Sequence, residues 1–260
     1  MKLPIYQVDA FTDTLFKGNP AAVCPLDTWL PDSTMQKIAF ENNLAETAFF
    51  VKEGNVFNIR WFTPTVEVEL CGHATIASVH VLKNHLNSRS NFFSFKSKSG
   101  VLTVEVRGNL YVLNFPSDKL EKVNVPHEFV EGLGAIPSEA FKGKTDYLLV
   151  FDSEDQIKQF QPDWGLLSQV SARGVCVTAK GNDCDFVSRF FAPQSGINED
   201  PVTGSAHTTL VPYWFRKTGK NEFKAKQVSE RGGELFCKYL GERIEIGGKA
   251  ISYLEGAITI

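Results

Sequence analysis

Alternation of apolar and polar residues dominates this chain, and that is the period of a half-buried β-strand. LPIYQVDAF opens on such a pattern and ends in the turn-rich FKGNP. ETAFFVKE and VFNIRWFT follow, with Gly54-Asn55 as the turn between them. NFFSFKSK, VLTVEVR and LYVLNF come in a row, separated by the hairpin signals Ser99-Gly100 and Gly108-Asn109. Helical spacing is rarer. Met35, Ile38 and Ala39 share one face of a helix that Asp32 or Ser33 can cap. Ile76, Val79 and Leu82 do the same in a helix expected to run from Gly72 to about His85.

PSDKLEKVNVP is polar and bracketed by prolines, so it reads as a connection between domains 1–117 and 118–260. Beyond it the order repeats. DYLLVFD predicts a strand, SEDQIKQF a helix and GVCVTAK a strand, and DCDFVSRFF leads to a second principal helix ending near Lys217. KAKQVSE, LFCKYL, RIEIGG and AISYLEGAITI close the chain as strands, the last of which (about 250–260) is expected to pair back with the first domain. Hairpin signals outnumber crossover helices, which favours an α+β fold over a doubly wound parallel sheet.

A pentapeptide occurs twice, RWFTP at 60–64 and RFFAP at 189–193, in a chain of 260 residues. Acidic residues follow each copy, and then a run of glycine and small residues: CGHATIAS from Cys71 and TGSAHTTL from Thr203. A repeat near half the chain length predicts two similar halves rather than a short-period solenoid. The two glycine-led turns are then expected to face one cleft.

Composition narrows the picture. The chain is 43% apolar and 22% charged, ordinary for a globular protein. A formal net charge of −3 offers no basic surface to nucleic acid and no polybasic stretch to a membrane. There are twenty-one phenylalanines; many, Phe93, Phe95, Phe186 and Phe190 among them, alternate with polar residues and are assigned to strand cores. Cys24, Cys71, Cys176, Cys184 and Cys237 are odd in number and form no CxxC pair, so neither a disulfide framework nor a zinc site is indicated. No apolar run approaches the ~20 residues of a membrane span. A reducing, cytoplasmic setting is expected.

The candidate chemistry clusters around the glycine runs. The first backbone N–H groups of a helix lack internal partners and can bind an anion, and glycine lets a ligand come close. Gly72 and Gly204 equally suit a tight turn. Glu46 lies in NLAETAFF among small and apolar neighbours, where a carboxylate is either a partly desolvated proton-transfer group or a strand-end residue facing solvent. His73 follows Gly72 and would lie beside the anion site or serve the packing. Asp200, in NEDPVTGSAH, is a ligand group or a turn carboxylate, and Ser205 is a cap or a ligand. Cys71 is a proton-transfer thiol or a small buried residue, and its counterpart in the second run is Thr203. His80, His85, His127 and His207 show no metal-ligand spacing, so no metal is expected. No G-x-S-x-G elbow, phosphate loop or dinucleotide fingerprint occurs.

Taken together, VDAFTDTLFKGNPAAV, NLAETAFF, RWFTPTVEVELCGHATIAS and RFFAPQSGINEDPVTGSAHTTL resemble the phenazine-biosynthesis isomerase-like family, PhzF. The resemblance implies a diaminopimelate epimerase-like fold: two similar domains related by a pseudo-twofold duplication, each a barrel-like sheet around a central helix. It also implies an active site between the domains, no cofactor, and a homodimer. Glu46 matches the family's acid/base; His73, Asp200 and Ser205 match its other polar site residues, and Gly72 and Gly204 supply backbone donors. Related epimerases use two cysteines, one leading each glycine run, whereas this chain has Cys71 and Thr203. A single carboxylate moving a proton on a small carboxylate-bearing substrate is therefore expected. The competing readings are a cysteine-dependent racemase or epimerase and a binding or scaffold protein that has kept the fold.

Overall fold

The computed structural model describes residues 1–54 and 56–260. They form two compact units, Met1–Asn114 with Gly247–Ile260, and Phe115–Ile246. The division follows Asn114, where a boundary after residue 117 was expected, and the end of the chain joins the first unit.

The first unit contains β1 (Lys2–Ala10), β2 (Asn19–Leu26), α1 (Asp32–Asn42), β3 (Glu46–Glu53), β4 (Val56–Phe62), β5 (Glu67–Val68) and α2 (Gly72–Asn84). The meander β6 (Phe92–Ser97), β7 (Gly100–Arg107) and β8 (Leu110–Pro116) follows. β1 pairs antiparallel with β2, β2 parallel with β3, β3 antiparallel with β4, and β4 parallel with β6. The C-terminal strand, Ala250–Thr259, runs antiparallel to β1 from Lys2↔Thr259 to Ala10↔Ala250, with an irregularity between Gln7 and Val8. Gly54 takes φ +61 between β3 and β4, while Asn55 of the expected turn lies outside the described residues. The turn before β2 needs Gly18: its φ is +67, and a Cβ there would stand 2.2 Å from the Ala10 carbonyl oxygen.

Every residue of α2 from His73 to Leu82 is buried. A helix apolar or small all round needs cover on all sides, and α2 receives it from β1, β2, β3 and β7. The start of α1 differs from expectation. Pro31 stands at its N-cap and its carbonyl accepts from Thr34 and Met35. Asp32 does not cap, because its carboxylate accepts from Arg60 instead, at 2.7 Å.

The second unit contains β9 (Glu121–Lys122), α3 (His127–Leu133), β10 (Glu139–Lys142), β11 (Asp146–Val150), α4 (Glu154–Gln159) and α5 (Trp164–Leu167). β12 (Gly174–Lys180), β13 (Phe186–Ala192), β14 (Ile197–Asp200), α6 (His207–Thr218), β15 (Glu222–Gln227), β16 (Gly233–Tyr239) and β17 (Arg243–Gly248) complete it. Its pairing repeats that of the first unit: β10–β11 antiparallel, β11–β12 parallel, β12–β13 antiparallel, β13–β15 parallel. The two halves of the sequence thus fold by one scheme, mixed sheet around one principal helix. In the second unit α6 fills that place, with Trp214 stacked 5.5 Å from Phe186 of β13 and donating to Thr178 of β12.

The second glycine run does not enter its helix directly. Gly204–Ala206 form a 3-10 turn, and α6 begins at His207. Pro212 lies inside α6 and has no N–H to offer the preceding turn. The carbonyl of Thr208, which such an N–H would have reached, accepts from the Asp118 N–H at 3.1 Å.

Candidate active site

The repeated pentapeptide has the same structural role in both units. Arg60 in β4 donates through Nε and Nη2 to the two carboxylate oxygens of Glu67 in β5, at 2.7 and 2.8 Å. Arg189 in β13 grips Glu199 in β14 the same way, both bonds at 2.8 Å. Each guanidinium also lies over a ring two residues on, Phe62 at 5.2 Å and Phe191 at 4.9 Å. The fork geometry fixes the short strand against its neighbour, and each gripped glutamate lies five residues before Gly72 or Gly204. The arginines therefore set where the two glycine turns begin.

In the first unit the turn gathers three of the expected residues. Cys71 is the N-cap of α2 in extended conformation, Gly72 opens the helix, and His73 follows. Glu46, the first residue of β3, brings Oε2 to 3.2 Å from His73 Nε2, off the line that a hydrogen bond needs. On the other edge of the ring, Nδ1 is 3.5 Å from Cys71 Sγ. Cys71 and His73 are each 6% exposed. Burial holds the His73 imidazole down at about 3, so it stays neutral near pH 7 and the contact with Glu46 joins a neutral ring to a carboxyl group. Thiol, imidazole and carboxyl thus form one line.

In the second unit Asp200 ends β14 and Thr203 is the N-cap of the 3-10 turn. The Thr203 hydroxyl donates to Asp200 Oδ2 at 2.6 Å, and its N–H donates to Gln227 Oε1 at 2.8 Å. Gln227 in turn donates to the Asp200 carbonyl. Thr203, at the position of Cys71, is engaged in holding Asp200. Ser205 Oγ accepts from Arg173 Nη1 at 2.8 Å. His207 is fully buried, its Nδ1 against the Thr203 carbonyl at 3.0 Å, and burial lowers its imidazole to about 4.

Two residues here were not expected from the sequence. Arg173 ties Ser205 to the buried Asp146, which accepts from its Nε at 2.8 Å and also from its Nη2. Gln227 braces the Asp200 turn. Arg173 sits in a segment without motif signal, and its partners lie 27 and 32 residues away. Only the folded chain brings them together.

His80, His85 and His127 stand apart from the glycine turns. His80 is bonded to Tyr111 and Ser252, and His85 to Ser252 and Glu255. All five cysteines are free thiols. Among the described residues, no helix is long and apolar enough to cross a membrane.

Fold and turns together define a duplicated α+β protein with a carboxyl–imidazole–thiol line at the head of one buried helix. Comparison with known proteins gives that class a family. The model of the phenazine biosynthesis-like proteins, PhzC-PhzF, matches residues 8–256, and the chain belongs to that family. An uncharacterised isomerase of Pseudomonas aeruginosa is 48% identical over 260 residues, covering all of both chains. A PhzF-family crystal structure from Enterococcus faecalis superposes with a TM-score of 0.98 at 44% identity, again over all of both chains. A hydroxyproline epimerase from Agrobacterium vitis shares the fold alone: TM-score 0.64 at 9% identity, covering 99% of this chain and 91% of that one.

Proposed function

We propose that the protein is a cofactor-independent isomerase that moves a proton, and with it a double bond, on a small carboxylate-bearing substrate. The observation that carries this reading is Glu46 Oε2 held 3.2 Å from the neutral imidazole of His73 at the start of α2. A carboxyl group only 15% exposed is poorly solvated, which suits it to take a proton from carbon and return it. The N–H groups at the head of α2 stabilise negative charge that develops on the substrate carboxylate during the transfer. His73 lies against the Glu46 carboxyl and shields it from water on that side. Asp200 and Ser205, braced by Thr203, Gln227 and Arg173, bind the substrate's polar groups. The isomerase names of relatives that match over their whole length support the reaction class.

The test is solvent deuterium incorporation into a panel of small unsaturated and amino carboxylates. Exchange into one member with wild type, lost in Glu46→Gln, is the expected result. Full exchange by Glu46→Gln would remove Glu46 from the centre of the mechanism.

A second reading, a thiol-dependent racemase, is favoured by Cys71 Sγ lying 3.5 Å from His73 Nδ1. It requires a second base opposite the first, and the matching position is Thr203, whose hydroxyl is bonded to Asp200. Loss of exchange in Cys71→Ser with inversion of an α-carbon would favour it.

A further inference from the structure

The three side chains at the head of α2 have a property that the isomerase reading does not use. Glu46, Cys71 and His73 each offer one ligand atom, a carboxylate oxygen, a thiol sulfur and a ring nitrogen, and these lie within 4.8 Å of one another. We propose that this group is a binding site for a borderline-soft divalent cation, Zn2+ above all, and that occupancy switches the site off.

Several independent features point the same way. Taken singly, each of the two contacts, 3.5 Å from sulfur to Nδ1 and 3.2 Å from Nε2 to oxygen, matches a ligand–ligand spacing about tetrahedral zinc, whose bonds are ~2.0–2.3 Å. They involve opposite ring nitrogens, so the ion takes one of them and the remaining anion swings toward it. His73 Nε2 is buried and makes no hydrogen bond, an uncommon condition for a ring nitrogen in a protein interior. Cys71 stands at the N-cap of α2, beside backbone N–H groups that have no partner within the helix. Thiolate and carboxylate together cancel the charge of the divalent ion. Sulfur and imidazole nitrogen select zinc or cobalt over magnesium or calcium. Three protein ligands leave a fourth position open, as in zinc sites that keep an exchangeable water.

The equilibrium is balanced by protons: the ion enters, the Cys71 S–H bond breaks, and one proton passes to buffer. Bound zinc holds the Glu46 oxygen that the isomerase reading assigns to proton transfer. The inhibitory half of the proposal rests on that reading, and the binding half does not. Sequence spacing gave no sign of the site, because Glu46 is 25 residues from Cys71 and reaches it only through the start of β3.

The experiment is a titration of the chelator-treated full-length chain with Co2+, read as the thiolate-to-cobalt charge-transfer absorption, with proton release followed in weak buffer. One equivalent of cobalt with a charge-transfer band, about one proton released, and displacement by Zn2+ are expected. Cys71→Ser should abolish the band, while Cys184→Ser, which alters the half-buried thiol elsewhere, should keep it. Glu46→Gln and His73→Asn retain the sulfur and should weaken binding by more than the ~10–100-fold that loss of an outer partner costs metal sites. Circular dichroism of each variant reports its fold. Absence of the band, its survival in Cys71→Ser, or unchanged affinity in Glu46→Gln would overturn the site. Zinc inhibition of deuterium exchange is read separately, so a band without exchange on any substrate would retain the site and discard the isomerase reading.

Discussion

Arg60 and Glu67 form a two-bond clamp across β4 and β5 that Arg189 and Glu199 reproduce residue for residue in the second unit. The clamp is only partly open to solvent, at 20% for Arg60 and 15% for Glu67. Glu67→Gln keeps the shape and removes the charge. It should cost roughly 1.5–3 kcal/mol in urea unfolding, the range for hydrogen bonds to charged groups. Arg60, by hydrogen bonding first, holds the Glu67 carboxyl below its ordinary value. Its contribution is thus complete above the unfolded value near ~4.3 and lost as pH falls through the lower folded value. Glu67→Gln should flatten that acid limb.

The histidines act over a different range. Burial holds His73 at about 3 and His207 at about 4, and burial with a lesser effect of His85 holds His80 at about 4. All three are neutral when folded and titrate near ~6.5 when unfolded. The unfolded chain therefore binds more protons between those values, and stability falls as pH drops below ~6.5. Near pH 5 the slope should be about 1.4 kcal/mol per pH unit for each histidine. Urea unfolding at several pH values measures it, and His80→Asn should lower the slope by one proton.

Arg173 links a buried carboxylate to the second glycine turn. Arg173→Met leaves Asp146, 3% exposed, without its charged partner. A loss of about 2–4 kcal/mol is expected, below that of a fully enclosed pair because Arg173 is 37% open to water. The double variant Arg173→Met with Asp146→Asn should recover part of it in a double-mutant cycle. Ser205 loses its positioning in both, so KM on an identified substrate should stay raised even where stability returns.

Glu46 and Cys71 separate the two enzyme readings. Glu46→Gln should reduce deuterium exchange by ~10²–10⁴-fold, the usual contribution of a positioned acid or base. Cys71→Ser should change it less than ten-fold, or about 1.4 kcal/mol. The reverse order, measured by NMR on the same substrate, would favour the racemase.

Gly18→Ala tests the backbone of FKGNP. Positive φ and a Cβ 2.2 Å from the Ala10 oxygen and 2.6 Å from Thr12 Cγ2 leave alanine no room without a backbone shift. About 2–4 kcal/mol of destabilisation is expected, read as a lower urea midpoint.

Much of the fold was legible because its signals are local. Alternating phenylalanines mark β6 and β13, glycine-led hairpins separate β6, β7 and β8, and RWFTP and RFFAP announce a duplication whose strand pairing is the same twice. β2 was passed over: NPAAVCPL carries two prolines and is buried at most of its positions, so it shows no alternation. α3 and α5 are too short for a helical period to emerge. At the site, the glycine turns came from the repeat, whereas the pairing of Glu46 with His73 is a long-range contact that no spacing encodes. Arg173 lay in a stretch without motif because its role depends on Asp146 and Ser205 converging from two other segments.

The strand Ala250–Thr259, paired along its length with β1, has a consequence for the order of synthesis. During translation β1 is made before the second unit, and its antiparallel neighbour only after it. The whole second unit, continuous in sequence from Phe115 to Ile246, lies between the two partners. Until that strand is made, the β1 edge of the amino-terminal sheet stays unpaired, so the first unit cannot close as its own residues emerge.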